Sequence, residues 1–198
     1  MGKVKSRLAH TVGEETALAI YYRLLEHTRR ITEDLPFQKV LYYSEYVDTE
    51  DHWSNSLYQK TKQSEGHLGD KMKQAFEAAF AQGCDAAVVI GTDCMELSSD
   101  IITEAFTSLS ADDAVIGPAV DGGYYLLGLK AFYPEVFDNK IWSSETVLRD
   151  TESDFARLNL KWRRLPVLRD VDTFEDLNDT LKMILIRNRG TSNSPQYG

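Results

Sequence analysis

Asp93, Asp170 and Asp172 are the residues whose types and spacing in this 198-residue chain could do chemistry. Asp93 comes after the apolar run Ala86–Gly91 (AAVVIG) and the small residue Thr92, so a carboxylate stands at the exit of a short buried-type segment. Its oxygens could hold a divalent cation, which is the counter-charge a diphosphate needs. The alternative role, capping the next helix, fits Ser98 or Ser99 better by position. Asp170 and Asp172 are two residues apart in Arg169-Asp170-Val171-Asp172-Thr173, which puts both carboxylates on one side of an extended segment. Such a pair repels unless a cation joins it. Either residue could instead cap a helix opening at Thr173.

Other segments carry weaker signals. Gly2-Lys3-Val4-Lys5-Ser6-Arg7 places cations at alternate positions, suited to a diphosphate by charge and by a guanidinium fork, or simply a solvated basic stretch. Asp121-Gly122-Gly123-Tyr124 joins two strand-like runs; the glycines permit close backbone approach to a ligand beside an acid, or make a plain turn. Gln63 to Asp70 (QSEGHLGD) has amide and backbone groups able to read a nucleobase edge. Trp142 is a stacking platform for a sugar or a core aromatic, the second being slightly favoured. His10, His27, His52 and His67 lack zinc-ligand spacing, and no nucleophile elbow, Walker loop or GxGxxG occurs.

Lys+Arg 22 against Asp+Glu 31 leaves a net charge of −9, which disfavours DNA, RNA and anionic lipid surfaces at long range. Two cysteines, Cys84 and Cys94, make neither a CxxC pair nor a disulfide scaffold, so a reducing, cytoplasmic setting is expected. No apolar run reaches the roughly 18 residues of a membrane span. The sequence leaves a homodimer open.

The elements that must position these residues follow from periodicity. Ala17, Ile20, Tyr21, Leu24 and Thr28 share one helix face within Gly13–Arg30. Gln38–Tyr43 reads as a strand and Val47–Gly69 as a long polar loop. Lys71–Gln82 reads as a helix, Ala86–Gly91 as a strand buried on both faces, and a helix after Ser98 or Ser99 presents Ile102, Ala105, Phe106 and Leu109. Asp113–Gly117 and Tyr124–Leu129 read as strands, Arg163–Leu168 as a weaker one, and Thr173 with Asp176 as a capping box opening a last helix. Alternating strands and helices predict an α/β three-layer sandwich with a mostly parallel central sheet over residues 1–187, followed by an aperiodic, disordered tail at 188–198. Ligands of such sheets bind beyond the carboxyl ends of the strands, where the acids above lie.

In this order, GKVKSRLA (Gly2 to Ala9), the Gln63 to Met72 loop, GTDCMEL (Gly91 to Leu97), GPAVDGGYYLLGL (Gly117 to Leu129), IWSSETVLRDT (Ile141 to Thr151) and DVDTFEDL (Asp170 to Leu177) resemble the bacterial glycosyltransferase-like family of arsenosugar-biosynthesis type. The resemblance spans nearly the whole chain. It implies a GT-A, nucleotide-diphospho-sugar transferase fold, related to sugar-phosphate and phospholactate nucleotidyltransferases. It also implies that Asp93, Asp170 and Asp172 hold Mg²⁺ or Mn²⁺, and that Lys3, Lys5, Arg7 and Thr92 meet the nucleotide's phosphates. Gln63, Leu68 and Gly69 would meet the base, and Asp121, Gly122, Gly123, Tyr124 and Trp142 the sugar or acceptor, with Asp121 accepting a proton and Asp93 serving the departing group. Met95 stands where relatives usually carry proline, and the apolar strand that relatives place before the GKVK-like loop has no counterpart.

The activity expected on this resemblance is metal-dependent transfer of a sugar from a nucleoside diphosphate sugar to a small-molecule acceptor. The alternatives are a nucleotidyltransferase acting on an NTP and a small phosphorylated substrate, and a non-catalytic nucleotide-binding or assembly protein.

Overall fold

The protein is described by a computed structural model covering residues 5–191, with side chains to residue 185. The first described element is α1 (Ser6–Val12), which the sequence reading, with its first helix over Gly13–Arg30, did not anticipate. Gly13, at φ 86, breaks the path, and α2 (Glu14–Thr32) follows. Its buried residues Ala17, Ile20, Leu24 and Thr28 repeat at three and four residues, as the periodicity predicts.

Strand β1 (Lys39–Tyr43) pairs in parallel with β2 (Tyr58–Lys62), which lies inside the stretch expected to be a loop. The polar sequence YQKTK has no strand alternation of its own; β2 is held by its partner and by side chains beneath it. Lys60 Nζ donates to Asp51 Oδ1 at 2.6 Å and to the Asp48 carbonyl at 3.1 Å, the Tyr43 hydroxyl donates to Asp51, and Trp53 packs edge-on against Tyr58. With the Trp53 N–H, which also donates to Asp51 Oδ1 at 2.9 Å, three donors on one aspartate staple the loop over the sheet.

Next come α3 (Leu68–Ala81), β3 (Ala87–Ile90), α4 (Ser99–Ser108), β4 (Ala114–Pro118) and β5 (Tyr124–Leu129). A 3-10 turn at Pro134–Phe137, α5 (Val147–Arg157), β6 (Trp162–Arg164) and α6 (Asp179–Thr191) complete the order. The main sheet runs β3-β5-β4-β6 and is mixed: β5 is antiparallel to both neighbours, and the other three strands share one direction. β1 and β2 form a separate two-stranded sheet. Among the described residues β3 therefore has a strand on one side only, and Ala87 to Ile90 are all half-buried where full burial was expected.

Both faces of the main sheet are covered. Ala114, Ile116, Leu127 and Leu129 pack with Met72 and Phe76 of α3 and Phe155 of α5, whereas Val115 and Leu126 pack with Ile102, Ala105 and Leu109 on the α4 side. Each such large side chain contributes about 1.5 to 3 kcal/mol by leaving water. Helices, sheet and helices make the three layers predicted.

A third apolar cluster matters most for the site. Leu8 of α1 and Ala17, Ile20 and Leu24 of α2 pack with Val171, Leu177 and Leu181. The cluster draws the start of the chain against residues 170–181. The last helix opens at Asp179, with the Asn178 side chain accepting from the Leu181 N–H at 3.0 Å, rather than at Thr173. It runs past residue 188, where the aperiodic tail was expected to begin; residues 192–198 lie outside the described part, as do Gly2, Lys3 and Val4. No helix among the described residues is long and apolar enough to cross a membrane.

Candidate active site

The aspartates picked out by spacing meet at one end of the main sheet. Asp93 lies just past β3, and its backbone carbonyl accepts from the Val171 N–H at 2.9 Å, which ties the two acid-bearing segments together. Glu96 Oε2 accepts from the Arg169 N–H at 2.9 Å as a second tie. Asp176 shapes the loop from inside: its carboxylate accepts from the N–H of Asp172 at 3.2 Å and from the N–H and hydroxyl of Thr173 at 2.8 Å each. Burial would raise the Asp176 carboxyl, but these donors and Arg169 outweigh it and hold it below the usual carboxylate range. The Thr173/Asp176 pair thus builds a turn that presents Asp170 and Asp172, not the start of a helix.

Lys5 sits among the acids. Its ammonium donates to Asp93 Oδ2 at 3.1 Å and to Asp172 Oδ1 at 2.9 Å. The lysine side chain is 11% exposed against 38% and 47% for the two acids, so the cation lies beneath carboxylates that still face solvent. Burial opposes its charge, yet the fields of Asp93 and Asp172 outweigh that and raise its pKa above the ordinary 10.5. Lys5, expected from the sequence to meet a phosphate, is paired here with these acids, as a half-buried ammonium needs carboxylate partners. Arg7 is exposed on α1 and Thr92 half-buried beside Asp93; Lys3 falls outside the described residues.

Asp170 is the strained member. Among the described residues its Oδ1 is buried without a hydrogen-bond partner. Its pKa is pushed up to about 7 by burial first, then by the charges of Asp93, Asp121 and Asp172, with Lys5 opposing. Beside it, burial and the Asp170 charge push the Cys94 thiol up to about 12, so Cys94 is a packed, protonated side chain.

For a divalent cation the donor set fits in part. The orphaned Asp170 oxygen and the open faces of Asp93 and Asp172 suit an oxygen-seeking ion. Among the described residues, however, no three His, Cys, Asp or Glu side chains close into a cage. Such an arrangement matches an ion that takes one or two carboxylates and fills its shell with water and phosphate oxygens.

The Asp121–Tyr124 turn borders the acids and is built into α5. Gly123 N–H donates to Asp121 Oδ1 at 2.9 Å, and the Gly122 carbonyl accepts from the Leu148 N–H at 3.0 Å. Gly122 has φ 89, and a Cβ there would lie 2.2 Å from the Glu145 carbonyl oxygen, so only glycine fits. Val120, Asp121, Gly122, Glu145, Thr146 and Arg149 line an open cleft of about 370 Å³. Tyr124 does not reach it: its hydroxyl is buried near Met72 Sδ, 4.0 Å away. Burial raises its pKa, with Thr151 opposing.

Gln63 and Leu68 are not among the residues that line this cleft. Gln63 N–H continues the β1–β2 ladder to the Tyr43 carbonyl at 2.8 Å, and Leu68 is 47% exposed at the start of α3. Ser64 Oγ, between them, is buried without a partner, a feature with no sequence signal. Trp142 donates through Nε1 to the Phe137 carbonyl at 3.3 Å, stacks on Phe137 and packs against the main core, so its aromatic surface serves packing. Its indole covers Gly69 so closely that a Cβ there would lie 2.1 Å from Nε1. Gly69→Ala is therefore expected to push Trp142 out and cost about 1 to 3 kcal/mol, a melting drop of roughly 2 to 12 °C. Near-ultraviolet circular dichroism should lose the Trp142 contribution to its tryptophan signal in step; an unchanged spectrum and melting point would show that the indole has room.

Sequence reasoning passed over Asp176 as a site residue, and also Glu96, Glu145, Thr146 and Arg149. Only Asp176 gave a signal, its spacing from Thr173.

The fold is α/β, of the nucleotide-diphospho-sugar transferase-like class. Within that class the chain belongs to the family described as "Uncharacterized protein conserved in bacteria (DUF2064)", whose model matches residues 28–144. A crystal structure from Desulfovibrio desulfuricans G20, of a protein provisionally named a nucleotide-diphospho-sugar transferase, matches with a TM-score of 0.83 at 29% identity over 96% of this chain and 90% of that one. The inositol-1-phosphate CTP transferase of T. maritima matches with a TM-score of 0.58 at 11% identity, over 94% of this chain and 92% of that one. The 4-diphosphocytidyl-2C-methyl-D-erythritol synthase of Anaerococcus prevotii DSM 20548 matches with a TM-score of 0.53 at 10% identity, over 86% of each chain. These two show the fold alone. No curated protein matches the sequence.

Proposed function

We propose that the protein is a glycosyltransferase that moves a sugar from a nucleoside diphosphate to a small acceptor, as the resemblance implied. The observation that carries this reading is the gathering of Lys5, Asp93, Asp170 and Asp172 at the carboxyl end of β3, beside a cleft that holds Asp121. The name of the Desulfovibrio protein agrees with it.

In this reaction the acceptor oxygen bonds to the sugar's anomeric carbon. The bond from that carbon to the diphosphate oxygen breaks, with its electron pair leaving on the diphosphate. Asp121, its carboxylate fixed by the Gly123 N–H, takes the acceptor's proton. Asp93 and Asp172, with Asp170 behind them, would hold Mg²⁺ or Mn²⁺, which when bound supplies positive charge to the diphosphate. Lys5 holds the acids together from below, and Asp176 and Glu96 fix the loop that carries two of them.

Nucleotidyl transfer is the second reading, favoured by the shared fold of the CTP transferase of T. maritima. It would use the same acids on the α-phosphorus of an NTP and release pyrophosphate. Product analysis by phosphorus NMR separates the two. Incubation with UDP-, GDP-, ADP- and TDP-sugars and with NTPs, each with Mg²⁺ or Mn²⁺ and with small hydroxyl-bearing and phosphorylated acceptors, is expected to release a nucleoside diphosphate from one of the nucleotide sugars. Pyrophosphate alone would transfer the assignment to the second reading, and binding without turnover would leave a nucleotide-binding protein.

A further inference from the structure

We propose that the cleft between the Val120–Gly122 turn and the start of α5 seats the second substrate, a small molecule carrying a hydroxyl and, a few bonds away, a phosphate or carboxylate that pairs with Arg149. This rests on the transferase reading and adds the chemical class of the acceptor.

The place is right for an acceptor. Asp121 belongs both to the cleft and to the charges acting on Asp170, so the cleft opens beside the acid cluster. Its walls are fixed: the Leu148 N–H holds the Gly122 carbonyl, the Glu145 backbone fills the space where a Gly122 side chain would stand, and Thr146 Oγ1 donates to Asp150 Oδ2 at 2.8 Å. A site held by backbone contacts keeps its geometry while a substrate enters. About 370 Å³ is near the lower end of small-molecule sites, enough for an acceptor of a few carbons.

The charges select the ligand. Arg149 is 75% exposed, and among the described residues its Nε and Nη2 contact only its chain neighbour, Asp150, at 3.1 and 3.0 Å. An exposed pair of this kind holds weakly, and the guanidinium has further N–H groups to offer an anion in a fork. The carboxylates of Asp121 and Glu145 accept from hydroxyls and repel a ligand that is anionic throughout. A neutral polyol leaves Arg149 unused, and a bare anion meets two like charges. A molecule with a hydroxyl at one end and an anion at the other satisfies both sides.

The probes are sn-glycerol 3-phosphate, D-glycerate and glycerol, titrated into the whole ¹⁵N-labelled chain, with UDP, GDP, ADP and TDP titrated separately. At least one anionic probe is expected to shift the amides of residues 120–123 and 145–149, and glycerol is not; whichever anion binds more tightly identifies the phosphate or the carboxylate source. Arg149→Gln should weaken that probe roughly tenfold or more without changing nucleotide binding. Glu145→Gln should tighten it by removing a like charge. Equal binding by Arg149→Gln and the parent, shifts confined to other residues, or an equal response to glycerol would overturn the proposal. If nucleotides bind and the anionic probes ignore the cleft, this inference fails and the transferase reading stands. If the probes bind through Arg149 and no nucleotide binds, the cleft holds its anion and the transferase reading fails.

Discussion

Asp170→Asn is expected to melt well above the parent protein at pH 8 and close to it at pH 4, with chelator present throughout. The Asp170 carboxyl is pushed up to about 7 by burial, then by Asp93, Asp121 and Asp172 against the relief from Lys5. Unfolded, it titrates near its ordinary 3.8. Between these values the folded protein keeps a proton that the unfolded chain has lost, so stability falls as pH rises through the window, and the loss is complete above about 7. A displacement of that size corresponds to about 4 kcal/mol, and solvent access to part of the carboxyl trims it to about 2 to 3. Asparagine has no such proton and escapes the loss, a difference of roughly 4 to 12 °C at pH 8. Asp51, Asp112 and Asp176, held below the usual range, act in the opposite sense: the stability they add is fully present above about 4 and is lost as pH falls below it. They are common to both proteins, so the gap between variant and parent isolates Asp170. A gap of the same size at pH 4 and pH 8 would show that Asp170 titrates normally.

The elements legible in the sequence are those whose side chains record their own burial. The faces of α2 and α4 follow from apolar spacing, and β4 and β5 from short apolar runs, because both faces of that sheet are covered. β2 left no such record. YQKTK is a strand through its pairing with β1 and through Lys60 and Asp51, a contact that no local pattern encodes. The end of the chain shows the converse. The spacing of Thr173 and Asp176 was real, and the carboxylate does cap N–H groups, but those of a turn that precedes the helix.

Candidate site residues divide along the same line. Asp93, Asp170 and Asp172 were legible because carboxylates at strand exits or two apart are unfavourable without a purpose. That Lys5 joins two of them across 167 residues was not, since it depends on the packing of Leu8 against Val171, Leu177 and Leu181. Tyr124 and Trp142 illustrate the ambiguity of aromatics: type and place fitted a ligand, and the structure uses both in packing. Arg149 looks in sequence like one more charge on a solvated helix face. Only the turn folded against Glu145 gives it a cleft to act in.

Asp93→Asn is expected to lower nucleotide-sugar turnover by about 100-fold or more, with a melting point within about 4 °C of the parent. Asparagine keeps the side chain's shape and leaves intact the backbone carbonyl that accepts from Val171, so the two acid segments stay joined. What is lost is one of two charges sharing the Lys5 ammonium, and with it part of the field that would hold a cation against the leaving diphosphate. A residue that only supported the fold would move stability and turnover together; here kcat falls and the melting point stays. Asp172→Asn should do the same for the same reason. Because both acids act through one shared cation, the double variant should be far less impaired than the product of the two single losses. Fully multiplicative losses would mean that the acids act independently, and turnover within threefold of the parent for Asp93→Asn would remove Asp93 from the reaction.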